Sequence, residues 1–329
     1  MTSVVPLTSK HTSKGLRLSP PGGGAAPLAR IVSRGTGAGA TEAFELPMEL
    51  LAGTPAECWW APGGQTPEPI EAPTEGAGIR GMKTRDWLIC EAQVPVGDDP
   101  EDAARSLYLD LLAFLERSDH PHIIKAWNYL SRINDGEGDE ERYKRFCVGR
   151  GEALQRDWRQ DYWPAATGVG TDAGEGLRVT VLAGRQRPEL IENPRQVSAF
   201  QYPRQYGPQS PNFSRAAAVG ESGSRLLFIS GTAAIVGHDS QHATRVEAQV
   251  DETLRNWASL FDAFAERSGD RPALSDNGWY RVYLRHPEHL DRVRARLGDA
   301  GLPLDRTLFL RADICRRELL FEMDGVIAV

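Results

Sequence analysis

From Ser224 to the C-terminus, apolar runs of strand length alternate with stretches whose apolar residues recur at helical spacing. "SRLLFISGTAAIVG" reads as a strand ending in small residues, and a helix follows from about Thr244. That helix carries Val246, Val250, Leu254, Leu260, Phe261 and Phe264 on one broad face and stops at "RSG". "GWYRVYLRH" is the next strand, and "PEHLDRVRARLGDAG" a second amphipathic helix built on Leu290, Val293 and Leu297. "RTLFLRADI" and "ELLFEMDGVIAV" close the chain as strands. Helices with one apolar face bury it against a sheet, so the expected class is α/β (α+β), mixed β-sheets with helices packed on one face. The first half repeats the order more faintly. "DWLICEAQVPV" is a strand, Asp99 and Pro100 start a helix using Leu107, Leu111, Phe114 and Leu115, and "HIIKAWNYLSRI" is a strand again. At 329 residues the chain is long enough for one large domain or two ordinary ones. The Gly/Pro/Ser/Thr-rich opening is expected to be irregular, and "WWAPGGQTPEPIEAPTEGAG" to separate it from the first clear strand.

The closing strand contains a carboxylate, Glu322, in the middle of its apolar run. Alternation places Leu319, Phe321 and Met323 on one face and Leu320, Glu322 and Asp324 on the other. An ionised carboxylate among apolar groups is costly unless paired or put to work. Either this is an edge strand with Glu322 in water, or Glu322 has a function.

Bulk properties remove several classes. The net charge of −7 disfavours nucleic acid as a partner, although local arginines can still hold a small anion. Cys58, Cys90, Cys147 and Cys315 are scattered without a CxxC pair, which fits free thiols and no structural zinc. No apolar run is long enough to span a bilayer, and "MTSVVPLTSKHTSKGLRL" lacks a signal-peptide core, so the expected location is the cytoplasm, with no membrane partner. "GVGTDAG" has the wrong spacing for a dinucleotide loop and reads as a turn. His120 and His122 lack metal-ligand partners at suitable spacing, and His238 and His242 read as exposed loop residues, so no metal is expected. "DEERYKR" reads as a solvated charged face.

From about Arg215 onward the order of elements resembles the RidA/YjgF fold. A longer set of segments, "AWNYLSRIN", "YKRFCVGRGEAL", "PAATGVG", "IENPRQVSAFQYPRQYGPQSPNFSRA" and "FISGTAAIVGH", resembles the chorismatase family from about Trp127 to the C-terminus. That family pairs an N-terminal domain with a RidA-like C-terminal one, which implies domains over residues 1–158 and 159–329 here. The resemblance implies release of the enolpyruvyl group of chorismate as pyruvate. One branch hydrolyses chorismate to a dihydroxycyclohexadiene carboxylate; others aromatise it to 3-hydroxybenzoate, one of them making 4-hydroxybenzoate as well. No net redox change occurs, so no cofactor is implied.

The family's catalytic glutamate falls on Glu322. A vinyl ether breaks under mild conditions when its methylene carbon is protonated, and burial keeps a carboxyl protonated near neutrality. Gly231 and Cys315 stand where the hydrolysing branch has alanine and a small residue, and both match the 3-hydroxybenzoate-forming branches. Cys315 either moves a proton on the ring or shapes the pocket against water, and Gly231 gives the ring room. Arg150, Arg215 and Arg285 are the candidate partners for the two carboxylates of chorismate, with Tyr202 and Tyr206 as hydroxyl donors. Tyr143 and Cys147 lie near Arg150 without an argument of their own, and Asp324 reads as a structural or solvated carboxylate. Three alternatives stay open: the hydrolase, a RidA-like enamine or imine deaminase in which Arg306 imitates that family's arginine, and a non-catalytic sensor. Oligomeric state is open between monomer and trimer.

Overall fold

The computed structural model of the chain describes residues 16–19, 27–32, 43–60, 65–72, 77–95, 99–156, 162–172 and 176–329. Most of the opening expected to be irregular lies outside the described residues. The chain starts with β1 (Arg17–Ser19), β2 (Ala29–Val32), β3 (Ala43–Glu45), β4 (Leu50–Gly53) and β5 (Ala56–Trp60). Four of these form a small sheet in the order β1-β5-β2-β3. Next come β6 (Glu68–Ala72), β7 (Gly78–Lys83), β8 (Trp87–Val94), α1 (Pro100–Arg117), β9 (His122–Ser131), α2 (Arg142–Arg156), β10 (Ala165–Thr171) and β11 (Leu177–Gly184). The start of α1 is as expected: Pro100 opens it, and the Asp99 carboxylate accepts the Glu101 amide at 2.9 Å.

The second half runs β12 (Glu189–Ile191), β13 (Ala216–Val219), β14 (Leu226–Ala233), β15 (Ile235–Val236), β16 (Asp239–Ser240), α3 (Val246–Ser268), β17 (Gly278–Leu284), α4 (Leu290–Asp299), β18 (Thr307–Arg311), β19 (Asp313–Ile314) and β20 (Phe321–Ala328). Gly269 closes α3 in the left-handed conformation.

Two seven-stranded sheets result, ordered β19-β10-β9-β11-β8-β7-β6 and β12-β13-β14-β20-β17-β18-β4. The halves exchange edges: β4 completes the second sheet, and β19 pairs with β10 in the first. The expected boundary at 158/159 therefore falls before β10 and β11, which belong to the first sheet. "GVGT", expected to be a turn, lies in β10. Its small residues allow close approach, since a Cβ on Gly170 would lie 2.5 Å from Ile133 and 2.7 Å from Asp313.

Helices cover one face of each large sheet. Leu107, Leu111 and Leu115 of α1 pack with Leu88, Ala126 and Val179 of the first sheet. Val250, Trp257 and Phe261 of α3 pack with Tyr280, Phe321 and Met323 of the second. The opposite faces meet each other and the small sheet in a third core that includes Trp59, Trp127, Phe228 and Trp279. One expected face assignment is reversed. Leu319 joins the inter-sheet core and Leu320 the helix side, because both precede β20 and strand alternation begins only at Phe321.

Candidate active site

β20 is the middle strand of its sheet, with Glu322 opposite Ala233 of β14 and Tyr283 of β17. The edge-strand reading of Glu322 is thereby overturned. Glu322 and Asp324 both point into the layer between the sheets and are 4 % and 1 % exposed.

Asp324 is structural and buried rather than solvated. Its Oδ2 accepts hydrogen bonds from Thr167 Oγ1 (2.5 Å), Trp127 Nε1 (3.0 Å) and the Tyr283 hydroxyl (3.1 Å). Among the described residues Glu322 has no such set of donors. Burial, with the Asp324 charge beside it, pushes its carboxyl from 4.5 up to about 8, against the pull of Lys125 and Arg215. It is a neutral acid near pH 7.

Three elements bring the remaining groups to that carboxyl. First, β14 carries a bulge between Ile229 and Thr232, where Ser230 and Gly231 oppose the single residue Asp324 of β20. The bulge turns the Gly231 amide away from β20 to donate to Thr167 Oγ1 at 3.1 Å. A Cβ on Gly231 would lie 2.2 Å from Glu322 Oε1, so the space glycine leaves is taken by the Glu322 carboxyl rather than reserved for a ring alone. Second, α2 presents Tyr143, Cys147 and Arg150 at i, i+4 and i+7, one helical face turned to the site. Third, the link from β19 to β20 passes from one sheet to the other and carries Cys315 and Arg316 across the opening.

Together these line a cavity of about 210 Å³ that includes Cys147, Tyr202, Tyr206, Arg215, Gly231, Cys315, Arg316 and Glu322. A narrower recess continues past Glu322 and Cys315 to Arg150, Asn128 and Thr167. Arg150 donates Nη1 to the Asn212 carbonyl at 2.8 Å, and its buried Nε and Nη2 have no partner among the described residues. Arg215 donates Nη2 to Val197 O (2.7 Å) and to the Tyr202 hydroxyl (2.9 Å). Tyr206 donates to Asp239 at 2.9 Å, and the Arg316 guanidinium lies 3.9 Å over its ring. Burial and the nearby Glu322 push the Cys315 thiol well above its ordinary range, so it is a neutral thiol.

Arg285 is a correction. It lies outside the cavity, and its guanidinium donates to the carbonyls of Leu319 (2.9 Å), Ile314 (3.1 Å) and Arg316 (3.0 Å) and to Asn134 Oδ1 (3.1 Å), beside Asp313. With its donors spent on the 313–319 link, it clamps the segment that carries Cys315 and has none left for a ligand. Sequence reading missed Arg316, Lys125 and Thr167, and named Tyr143 and Cys147 only as neighbours of Arg150. The i, i+4, i+7 spacing in "YKRFCVGR" was a usable signal for the α2 face; the others depend on contacts between sheets.

Comparison with known proteins places this geometry. Residues 57–183 match the family model described as chorismatase FkbO/Hyg5-like, N-terminal. A chorismatase of Streptomyces rapamycinicus is 36 % identical over 282 residues, covering 83 % of this chain and 82 % of that one. A 3-hydroxybenzoate synthase of Streptomyces hygroscopicus is 33 % identical over 267 residues, 77 % of each chain. A crystal structure of a chorismatase superposes with a TM-score of 0.81 at 30 % identity, covering 95 % of this chain and 98 % of that one. The chain is an α/β enzyme with its candidate site between two sheets, and it belongs to the chorismatase family. Among the described residues no helix is long and apolar enough to cross a membrane.

Proposed function

We propose that the protein converts chorismate into 3-hydroxybenzoate and pyruvate, with Glu322 as the acid that protonates the enolpyruvyl methylene. The observation that carries this reading is a buried carboxyl held neutral at the wall of a cavity, between Arg150 on one side and Arg215 and Arg316 on the other. Chorismate is a dianion, and two separated cationic groups suit its two carboxylates. The unpartnered donors of Arg150 favour one carboxylate in the recess.

The steps balance without water or an oxidant. Glu322 gives its proton to the methylene carbon, the C3–O bond breaks, and the side chain leaves as pyruvate. The C4 oxygen closes on C3, and its proton returns Glu322 to the acid form. The C4–O bond of this epoxide then breaks, and one ring hydrogen passes as a proton to the oxygen left on C3. Cys315, a neutral thiol facing the same cavity, suits the carbon-to-oxygen proton transfer.

Chromatography after incubation with chorismate tests the reading. Equal amounts of pyruvate and 3-hydroxybenzoate support it. Equal pyruvate and cyclohexadiene diol would make the protein the hydrolase, and untouched chorismate would remove the enzyme assignment. Cys315→Ala is expected to lower 3-hydroxybenzoate relative to pyruvate, the balance appearing as diol; an unchanged product ratio would deny the thiol its part. Gly231→Ala is expected to displace the Glu322 carboxyl, because its Cβ would overlap Oε1. A displacement near 1 Å lowers kcat by roughly 10²-fold, so steady-state kinetics within a few-fold of the parent would count against this placement.

A further inference from the structure

Beneath Glu322 lies a buried cation that the proposed reaction does not touch. Lys125, on β9, is 1 % exposed. Its ammonium donates to Thr167 Oγ1 (2.8 Å) and Ile229 O (2.8 Å) and lies 3.8 Å from Asp324 Oδ2. Thr167 Oγ1 also accepts the Gly231 amide and donates to Asp324. One hydroxyl thus joins Lys125, Asp324 and the bulge that rests on Glu322 Oε1. A fully buried lysine costs several kcal/mol of desolvation, which packing alone does not return.

Charge balance gives it a use. In the inter-sheet layer Arg281 pairs with Glu57, and Lys125 sits with Asp324. With Glu322 neutral these charges cancel. An ionised Glu322 adds an anion beside these two pairs, and Lys125, ahead of Arg215, is the cation whose field acts most on that carboxyl. The other groups facing this region are Tyr283 on β17, Tyr129 on β9, Arg215 before β13, Tyr143 and Cys147 on α2, and Cys315 on the β19–β20 link.

Resting on the reading of Glu322 as the acid, we propose that Lys125 is a positioning residue that stabilises the Glu322 carboxylate formed on proton transfer and, through Thr167, fixes the bulge against which that carboxyl lies. The sign follows from Coulomb attraction: removing the cation makes Glu322 a weaker acid. Lys125→Met, shown folded by circular dichroism, is expected to lose at least tenfold in kcat and to move the alkaline limb of its pH profile upward by about a unit, with Lys125→Arg retaining part of the rate. A merely structural role would lower activity without moving the limb, and an unmoved limb overturns the proposal.

A second measurement does not need a Lys125 variant to fold. The coupling between two titrating groups is reciprocal, so the Lys125 ammonium, followed by ¹³C NMR of its ε-carbon, should titrate at lower pH in Glu322→Gln than in the parent. Equal midpoints overturn the proposal. The two readings separate cleanly: an active Glu322→Gln removes the acid assignment itself, whereas an inactive Glu322→Gln with an unchanged Lys125 midpoint removes only the role of the lysine.

Discussion

Glu322→Gln is expected to abolish pyruvate release, a fall in kcat of about 10²–10⁴-fold, the usual worth of a positioned general acid. Glutamine preserves the shape and removes only the ionisable proton. The same substitution should stabilise the protein in alkaline solution. Burial raises the Glu322 pKa from 4.5 to about 8, so the folded state favours the protonated carboxyl more than the unfolded chain does. The native state suffers no penalty below pH 4.5, and stability falls increasingly as pH rises toward 8. Between pH 5 and pH 9 the stability of Glu322→Gln relative to the parent should grow by roughly 3–4 kcal/mol, from 1.36 kcal/mol per pKa unit. Denaturant titrations at the two pH values check this. A difference that stays constant with pH would mean that Glu322 is ionised in the fold. The parent's activity should decline on the alkaline side near pH 8 for the same reason, as the acid loses its proton.

This opposition of activity and stability is what a buried acid entails. Among the described residues no side-chain donor is seen on Glu322, while Asp324, two residues on along the same face, receives three. One strand face thus presents two carboxyls in different settings, one anchored by donors from three residues and the other held neutral by burial.

How much of this was legible in the sequence differs by level. Periodicity located α1, α3, α4 and the strands around them, because those segments bury one face and alternate accordingly. The strand β10 was hidden, since "AATGVGT" owes its place to close backbone approach and carries little hydrophobic signal of its own. The exchange of β4 and β19 between sheets leaves no local pattern at all, and with it the boundary between halves was misplaced. Glu322 could be singled out because a carboxylate in an apolar run is anomalous by itself. Lys125 in "HIIKAWNYLS" is the same anomaly on a strand buried along nearly its whole length, and it passed unremarked because its partners come from other strands more than forty positions away. Arg285 looked like a ligand group, but a neighbouring motif cannot reveal how many of an arginine's donors the backbone has already taken.

The second large effect concerns stability alone. Arg281 of β17 forms an ion pair with Glu57 of β5, both at most 3 % exposed, and donates to the Tyr129 hydroxyl of β9 at 3.2 Å. Its guanidinium also lies 4.6 Å over Trp127, and Trp59 Nε1 donates to Glu57 at 3.1 Å. One arginine therefore connects both seven-stranded sheets and the four-stranded one at their common core. Glu57→Gln or Arg281→Met leaves the opposite charge buried and unpaired, and each is expected to destabilise by roughly 3–5 kcal/mol. The double substitution should cost clearly less than the sum of the two, because no orphan charge remains. Equilibrium unfolding of the four proteins forms the cycle. Single variants each costing under about 1 kcal/mol, the range of an exposed pair, would show that water reaches Arg281 and that this pair adds little to the contact between the sheets.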